Sequence, residues 1–271
     1  EDFCMEKLSL SIIQFTDTHF FKTEEGRLLG VDTGRTFSEV YKVSREARST
    51  PDLYLFTGDL SQDESEQSYQ RLSAAVGATS APCYMLPGNH DRRAESKRGL
   101  SDGPADFRFD RFVVRDGWVI ILLDTLVVHE VGGHLSTEEL ELLESTLTRY
   151  KDHHALVCLH HHPIPVGSAW IDTIGLDNGG DFLAIIDSFP SVRGVLWGHV
   201  HQEFELQRNG IPFMATPSTC VQFKARSAQF AVDALPPGFR WLELYADGSI
   251  KSGILRASDV AVGLELSSAG Y

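Results

Sequence analysis

Apolar and polar positions alternate along the chain in blocks, and these blocks predict strands and helices in turn. Short apolar runs, each followed by a polar break, are typical of buried strands and lie at 8–15, 53–56, 83–86, 118–123, 155–159 and 192–197. Stretches with helical spacing lie between them, at 35–48, 63–76, 137–150 and 180–188. The third of these begins with Ser136-Thr-Glu-Glu139, a capping-box pattern. This alternation predicts a largely parallel α/β sheet.

The last third of the chain follows a different pattern. Asn209-Gly210 and Asp247-Gly248 each separate two extended runs, and such dipeptides are strong β-hairpin signals. We therefore expect this part to be mainly antiparallel, with a second sheet packed on the first. The chain is interpreted as one domain, 1–271, with its core over about 8–256. The polar segment 92–117 is the candidate for a cap or insertion, and 257–271 for a C-terminal tail.

Charge and cysteine content narrow the class of protein. The chain of 271 residues has a formal net charge of −14, and affinity for a phosphate backbone rests on clustered Lys and Arg, so the charge argues against a general polyanion binder. No apolar run approaches the roughly 20 residues that span a bilayer, and no signal-peptide pattern is present near the N-terminus. The four cysteines are scattered without C-x-x-C spacing. We expect a cytoplasmic protein that has no membrane or nucleic-acid partner.

Five of the polar breaks carry side chains that can bind metal ions. They contain Asp17 and His19 (FTDTHF), Asp59 (FTGDLS), Asn89, His90 and Asp91 (PGNHD), His160, His161 and His162 (LHHHP), and His199 and His201 (WGHVH). The carboxyl ends of parallel strands form a common rim at which ligands bind. The five breaks can therefore aim their side chains at one point.

The spacing within the breaks has a physical reason. Asp17 and His19 are two residues apart, as are His199 and His201. In extended chain such pairs project to the same side, so each pair can bind one metal ion or two adjacent ions. Oxygen and nitrogen donors without sulfur suit Mn, Fe, Zn or Co. Three breaks also have a glycine before a candidate ligand, which lets the backbone turn sharply: Gly58, Gly88 and Gly198.

Each fragment by itself also has an ordinary explanation. A lone Asp-x-His is usually a solvated loop, a lone Gly-Asp is usually a turn, and the run 160–162 can be a partly exposed polar stretch. His153 and His154 fit such a surface loop. The occurrence of all five fragments at predicted strand ends is not expected by chance, and it predicts a two-metal site.

The order D-x-H, G-D, G-N-H-D, H-x-P, G-H-x-H over residues 12–256 resembles the calcineurin-like metallophosphoesterase superfamily. The stretches GRLLGVDT, HHHPIPVGSAWID and LWGHVHQ are similar to the bacterial class III 3′,5′-cyclic AMP phosphodiesterases of the CpdA type. The resemblance implies an α/β (α+β) fold, a four-layer αββα sandwich of two mixed β-sheets flanked by helices. This agrees with the parallel-then-hairpin pattern.

The resemblance also implies a role for each candidate. One metal ion would be held by Asp17, His19 and His201, the other by Asn89, His161 and His199, and both by a bridging Asp59. His161 is chosen because the family ligand stands two residues before a proline, here Pro163; His160 and His162 would then support the ligands or face the substrate. His90 would be the catalytic proton donor and Asp91 would support its loop. The implied substrate-binding set is His19, Asp59, Asn89, His90, His162 and His201.

The implied function is hydrolysis of 3′,5′-cyclic AMP to 5′-AMP by a hydroxide that bridges two metal ions (Fe, Mn, Zn or Co). Two alternatives stay open: a broader phosphodiesterase for glycerophosphodiesters or 2′,3′-cyclic nucleotides, and a non-catalytic module, which predicts decayed ligands. In the segment 164–181, Trp170 and Asn178 would either touch the base or ribose or pack a loop. Phe and Leu residues around 107–112 and 230–241 fit either a core or a subunit interface, so a homodimer stays an open alternative.

Overall fold

A computed structural model describes residues 7–48, 50–258, 261–268 and 270. The strands are β1 Leu8–Phe15, β2 Leu53–Thr57, β3 Cys83–Leu86, β4 Phe107–Arg108, β5 Phe112–Arg115, β6 Trp118–Leu122, β7 His154–Cys158, β8 Val192–Trp197, β9 Phe204–Arg208, β10 Ile211–Ala215, β11 Gln222–Phe223, β12 Val232–Asp233, β13 Gly238–Tyr245 and β14 Ile250–Arg256. The helices are α1 Thr33–Ala47, α2 Glu66–Val76, α3 Arg93–Ser101, α4 Thr137–Arg149 and α5 Gly179–Ser188, with a short 3₁₀ helix at Ile171–Ile174. None of these helices is long and apolar enough to cross a membrane.

The strands build two six-stranded mixed sheets and one two-stranded ladder, β11–β12. The first sheet has the order β14-β13-β1-β2-β3-β4 and the second β5-β6-β7-β8-β10-β9. Strands β1 to β4 run parallel, as do β6, β7, β8 and β10. All six apolar runs predicted as strands are strands, with ends that shift by at most one residue at each end.

The two predicted hairpins are present, but they do not form a sheet of their own. The Asp247-Gly248 hairpin, β13–β14, pairs with β1 at the edge of the first sheet. The Asn209-Gly210 hairpin, β9–β10, pairs with β8 in the second. An unpaired sheet edge offers backbone donors and acceptors to any extended strand nearby. Each hairpin therefore completes one of the two sheets, and each sheet becomes mixed.

The layers follow from the two-residue period of the strands. In β1, Ile12 belongs to the core between the sheets, where Trp118, Leu156 and Leu196 face it from the second sheet. Its neighbour Ile13 belongs to the core under α1 and α2. Helices α4 and α5 cover the outer face of the second sheet. Central strands are thus buried on both faces, which explains their unbroken apolar runs, and the four-layer αββα prediction is confirmed.

The segment 92–117 connects the two sheets instead of forming a cap. It contains α3, then β4 at the edge of the first sheet, then β5 at the edge of the second. Leu100 and Phe107 are buried in the core of the first sheet. Phe239, in the other region considered for a homodimer, is buried as well. The short edge strands carry many charged residues because only part of each is covered, so their sequence resembles a loop.

The C-terminal residues are also part of the fold as far as they are described. Ala257 is buried, and Ala261 and Leu264 pack against the core of the second sheet. The Glu265 N–H donates to the carbonyl of Leu29 over 3.0 Å. Residues 261–268 therefore hold the segment that follows the first motif, instead of forming a separate tail.

Candidate metal centre

The loops that follow β1, β2, β3, β7 and β8 bring the candidate ligands together at one rim. Four overlapping groups have ligand atoms within 4.8 Å of one another. They are Asp17 with His19 and His201, His19 with Asp59 and His90, Asp17 with Asp59 and His160, and His160 with His161 and His199. Side chains up to 184 positions apart in sequence therefore form one continuous cluster. All of its members are buried except His90, which is partly exposed.

The first group pairs Asp17 with two imidazoles. His201 Nε2 lies 3.3 Å from Asp17 Oδ1 and 3.2 Å from His19 Nε2. The other ring nitrogens face outward: His19 Nδ1 lies 2.6 Å from Gln62 Oε1, and His201 Nδ1 lies 2.8 Å from the Val221 carbonyl. Each outward partner is an oxygen that accepts a hydrogen bond from Nδ1–H, which leaves both Nε2 lone pairs directed inward, as in metal sites.

Asp59 lies between the groups. Its Oδ1 accepts the backbone N–H of His90 over 2.8 Å. Its Oδ2 lies 3.3 Å from His160 Nε2 and 3.9 Å from His19 Nε2. One carboxylate therefore faces imidazoles from both halves of the cluster, the geometry that a shared ligand requires.

The three histidines after β7 have different surroundings. His160 Nδ1 is 2.7 Å from the Thr57 carbonyl, and its Nε2 faces Asp59 without a hydrogen bond among the described residues. Both ring nitrogens of His161 have partners, Thr125 Oγ1 at 2.7 Å and the Val131 carbonyl at 3.0 Å. His162 lies behind, with Nε2 3.5 Å from Asp172 Oδ1. The contacts thus favour His160 as the inward ligand, one position before the predicted His161.

The remaining predicted residues lie around this centre. Asn89 Oδ1 is buried and accepts no hydrogen bond from the part of the chain that is described. The His199 N–H donates to Asp17 over 3.1 Å, and His199 Nε2 lies 3.1 Å from the Ile174 carbonyl, so Nδ1 is its remaining donor atom. The His90 ring lies edge-on to His19, with centroids 5.1 Å apart.

Asp91 supports the PGNHD loop. It is fully buried and accepts from the backbone N–H groups of Leu60, Ser61 and Gly88 and from the hydroxyl of Tyr69. Burial, together with the charge of Asp59, raises the pKa of Asp91 to about 6 despite these donors. The contacts agree with the supporting role expected for this residue.

The backbone at the cluster is not extended, contrary to the reasoning from two-residue spacing. Left-handed φ values occur at Asp17 (53°), His19 (46°), Asp59 (52°), His199 (67°) and His201 (47°). A non-glycine residue costs of order 1 kcal/mol in this region, and Asp and His tolerate it better than most. Tight left-handed turns at strand ends, and not extended chain, aim these pairs inward. Such conformations cluster at functional sites, where the surrounding fold holds them.

All three predicted glycines are required by close packing against the cluster, and Gly198 is packed against Thr16 and Asp17. A Cβ on Gly58, which has φ 94°, would lie 2.4 Å from His160 Nδ1. A Cβ on Gly88 would lie 2.2 Å from Asp59 Oδ1. Any side chain at either position would displace a candidate ligand.

Burial and charge together set the protonation of the cluster. Burial lowers the pKa of His19 to about 3 and the pKa values of His161 and His199 well below 6.5. Burial also opposes ionisation of Asp59, but the imidazoles of His160 and His90 outweigh it and hold its pKa well below 3.8. At neutral pH the ionised Asp59 therefore lies beside neutral His19, His161 and His199, the form that binds metal ions. His160 differs: burial lowers its pKa, but the charge of Asp59 outweighs burial and raises the pKa of His160 to about 9, so this imidazole releases a proton when it binds a metal ion.

Sequence reasoning missed the groups that orient the ligands. The Thr57 and Val221 carbonyls, the Gln62 amide and the Thr125 hydroxyl each hold an imidazole. A buried histidine needs such a partner, but two of these are main-chain carbonyls, which no residue letter reveals. Asn178, considered for ribose contact, exchanges two hydrogen bonds with the backbone of Leu135.

Comparison with known proteins assigns the family. The model for calcineurin-like phosphoesterases matches residues 10–203. The chain belongs to the calcineurin-like phosphoesterase family. Proteins of this family are phosphoester hydrolases, so the prediction of a phosphoric ester hydrolase is confirmed.

Curated relatives of this calcineurin-like phosphoesterase cover nearly its whole length. It is 39% identical over 265 residues to the 3′,5′-cyclic adenosine monophosphate phosphodiesterase CpdA of Pseudomonas aeruginosa, covering 97% of this chain and 96% of the relative. It is 40% identical over 263 residues to CpdA of Escherichia coli, with 96% and 94% covered. A 3′,5′-cyclic-nucleotide phosphodiesterase of Nostoc is 41% identical over 251 residues, with 93% and 94% covered.

Solved structures share the fold at low identity. A dimetal phosphatase from Danio rerio aligns with a TM-score of 0.61 at 14% identity, covering 93% of this chain and 100% of that one. GAP50, the anchor in the inner membrane complex of Plasmodium, aligns with a TM-score of 0.64 at 14% identity, with 97% and 90% covered. The same architecture thus occurs in a phosphatase and in an anchor, so fold alone does not decide activity.

Proposed function

We propose that this protein is a metal-dependent phosphodiesterase that hydrolyses 3′,5′-cyclic AMP to 5′-AMP. Hydrolysis is supported by the convergence of Asp17, Asp59 and six imidazoles, five of them buried, into one cluster at the rim of the sheets. The choice of substrate is supported by identities of 39–41% over nearly the full length of relatives that carry this name. A non-catalytic module predicts decayed ligands, whereas all candidate ligands are present here.

The residues of the cluster fit two metal ions. We assign Asp17, His19 and His201 to one ion, Asn89, His199 and His160 to the other, and Asp59 to both. The fit rests on two buried atoms that have no hydrogen-bond partner among the described residues, Asn89 Oδ1 and His160 Nε2, and on the absence of sulfur from the donor set. His160 takes the place of the predicted His161 in this assignment.

When bound, two such ions supply Lewis acidity that activates water and offsets charge on the phosphoryl group. The protein sets the charge of the site and the orientation of the ligands. Asp59 and Asp17 contribute only two negative charges, so the loaded centre attracts a phosphodiester although the chain carries a net charge of −14. The imidazole ligands are held in place by their hydrogen bonds to protein groups, which limits reorganisation of the site during the reaction.

His90 is our candidate for proton transfer. Its backbone N–H is held by Asp59, and its ring lies beside His19 and remains partly exposed, unlike the buried ligands. A side chain at that place can meet the phosphoryl or leaving-group oxygen and donate a proton to it. His162, predicted to touch substrate, is 2% exposed and stacks on His199, so we assign it to positioning of His199.

The test is a substrate comparison with the purified, metal-loaded protein. We expect cyclic AMP to be turned over with a higher kcat/KM than 2′,3′-cyclic AMP, glycerophosphodiesters or bis(p-nitrophenyl) phosphate. If cyclic AMP stays intact while the other diesters are cleaved, the alternative of a broader phosphodiesterase replaces the proposal. Less than about one bound metal ion per chain after reconstitution would revive the non-catalytic alternative.

A cytoplasmic location is part of the same proposal. It is supported by Cys83, Cys158 and Cys220, which are buried free thiols. Cys4 lies outside the described residues. A homodimer stays a prediction that sedimentation of the purified protein can test.

A further inference from the structure

An aromatic cluster extends from the metal centre to the protein surface. The Phe223 ring stacks on His201 with centroids 4.2 Å apart and an interplanar angle of 11°. Trp170 and Phe230 pack edge-on against Phe223 at 5.2 and 5.3 Å and against each other at 5.1 Å. We call these three rings, Trp170, Phe223 and Phe230, the aromatic cluster. The cluster therefore contacts a candidate metal ligand directly through Phe223.

The cluster has a buried inner part and an accessible outer part. Phe223 is 2% exposed and forms the base, whereas Trp170 and Phe230 are both partly exposed. Phe223 and Phe230 come from the β11–β12 ladder and its loop, and Trp170 comes from the loop after β7. Two separate segments thus present apolar rings on the same side of His201.

Aromatic side chains and exposed cations lie together at this cluster. Between β11 and β12 the chain carries Lys224 and Arg226, both exposed, and no acidic residue. A second cavity, of about 390 Å³, is lined by Glu130, Asp172 and Asp177 and by no Phe, Tyr or Trp. The cavity of about 410 Å³ that His201 and Phe223 line also has acidic residues, Glu203, Glu205 and Asp233. Apolar ring surface, and not net charge, therefore distinguishes the aromatic side as a place for the flat ring of a nucleobase.

We propose that the aromatic cluster is the surface that binds the nucleobase of the substrate. The phosphate lies at the metal centre, and the base, joined to it through a single ribose, stacks on Phe230 and Trp170. Lys224 and Arg226 attract the approaching anion. This inference rests on the proposed function and adds to it the residues that distinguish nucleotides from base-free phosphodiesters.

The test separates base binding from phosphate binding. Inhibition of bis(p-nitrophenyl) phosphate hydrolysis by 5′-AMP and by inorganic phosphate is measured for the wild type, Phe230→Ala and Phe230→Tyr. Stacking of a base on an aromatic ring contributes about 5- to 150-fold in affinity by alanine substitution. We expect Phe230→Ala to raise the inhibition constant of 5′-AMP about tenfold or more, to change that of phosphate less than twofold, and Phe230→Tyr to restore 5′-AMP binding.

The controls address folding and the metal centre. Phe189→Ala removes another partly buried phenylalanine at the opposite end of the second sheet and should leave both inhibition constants unchanged. Bound metal is measured for every variant. An unchanged inhibition constant for 5′-AMP in Phe230→Ala overturns the proposal, and so does a parallel loss of 5′-AMP and phosphate inhibition, which would indicate a disturbed metal centre.

The assay also keeps this inference separate from the proposed function. Cyclic AMP turnover by the wild type is measured independently. If cyclic AMP is not hydrolysed but 5′-AMP inhibition still depends on Phe230, the assigned reaction fails and the nucleobase surface stands.

Discussion

Replacement of His160 and of His161, one at a time, by alanine distinguishes two metal-centre assignments that differ by a single residue. His160 Nε2 faces Asp59 Oδ2 at 3.3 Å and has no hydrogen bond among the described residues. Both ring nitrogens of His161 are used by protein groups, at 2.7 and 3.0 Å. His160→Ala therefore removes a donor to the second ion, whereas His161→Ala removes an interaction behind the ligands.

The size of each effect follows from these contacts. Loss of an outer partner lowers metal affinity about 10- to 100-fold, and loss of a ligand lowers it further. We expect His160→Ala to bind its second ion more than about 100-fold more weakly than the wild type, and His161→Ala to keep two ions at saturating metal. Both changes empty the volume of a fully buried imidazole, which costs about 2–3 kcal/mol of stability in each.

The assay is titration of metal-free protein with Mn²⁺ or Zn²⁺ by calorimetry, with metal content after dialysis as a second readout. Circular dichroism in chelator shows whether each variant is folded. A His161→Ala protein that retains one ion while His160→Ala retains two would refute the reasoning and restore the assignment made from the proline spacing.

Three further outcomes are expected. His90→Ala should lower kcat about 10²- to 10⁴-fold with near-normal metal content, whereas Asp59→Ala should deplete both ions. Steady-state kinetics and metal analysis of the two variants check this contrast. Loss of metal with full activity in His90→Ala would contradict the assigned roles. Asp91→Ala leaves three buried N–H groups without an acceptor, and we expect it to lower the free energy of unfolding by more than about 3 kcal/mol in urea titrations. A change below about 1 kcal/mol would contradict the supporting role of Asp91. In chelator, His199→Gly should be more stable than His199→Ala by about 1 kcal/mol, because glycine adopts the left-handed φ of 67° without strain. Equal stability of the two variants would show that this backbone carries no strain.

The sequence by itself determined the regular elements that are buried on both faces. Runs such as 83–86 and 192–197 are strands with the predicted bounds, because a strand covered by helices on one side and a sheet on the other must be apolar throughout. It also determined the chemistry of the rim. Asp, Asn and His at successive strand ends indicate an oxygen and nitrogen metal site before any coordinates are known.

Only the tertiary structure decided how those residues meet. The left-handed turns at Asp17 and His199, the direction of each imidazole, and the contrast between His160 and His161 depend on carbonyls and hydroxyls contributed by other strands. The segment 92–117 and the aromatic cluster follow the same rule. Edge strands and clusters assembled from separate loops acquire their burial from neighbours that are distant in sequence, so no local pattern of hydrophobicity can specify them.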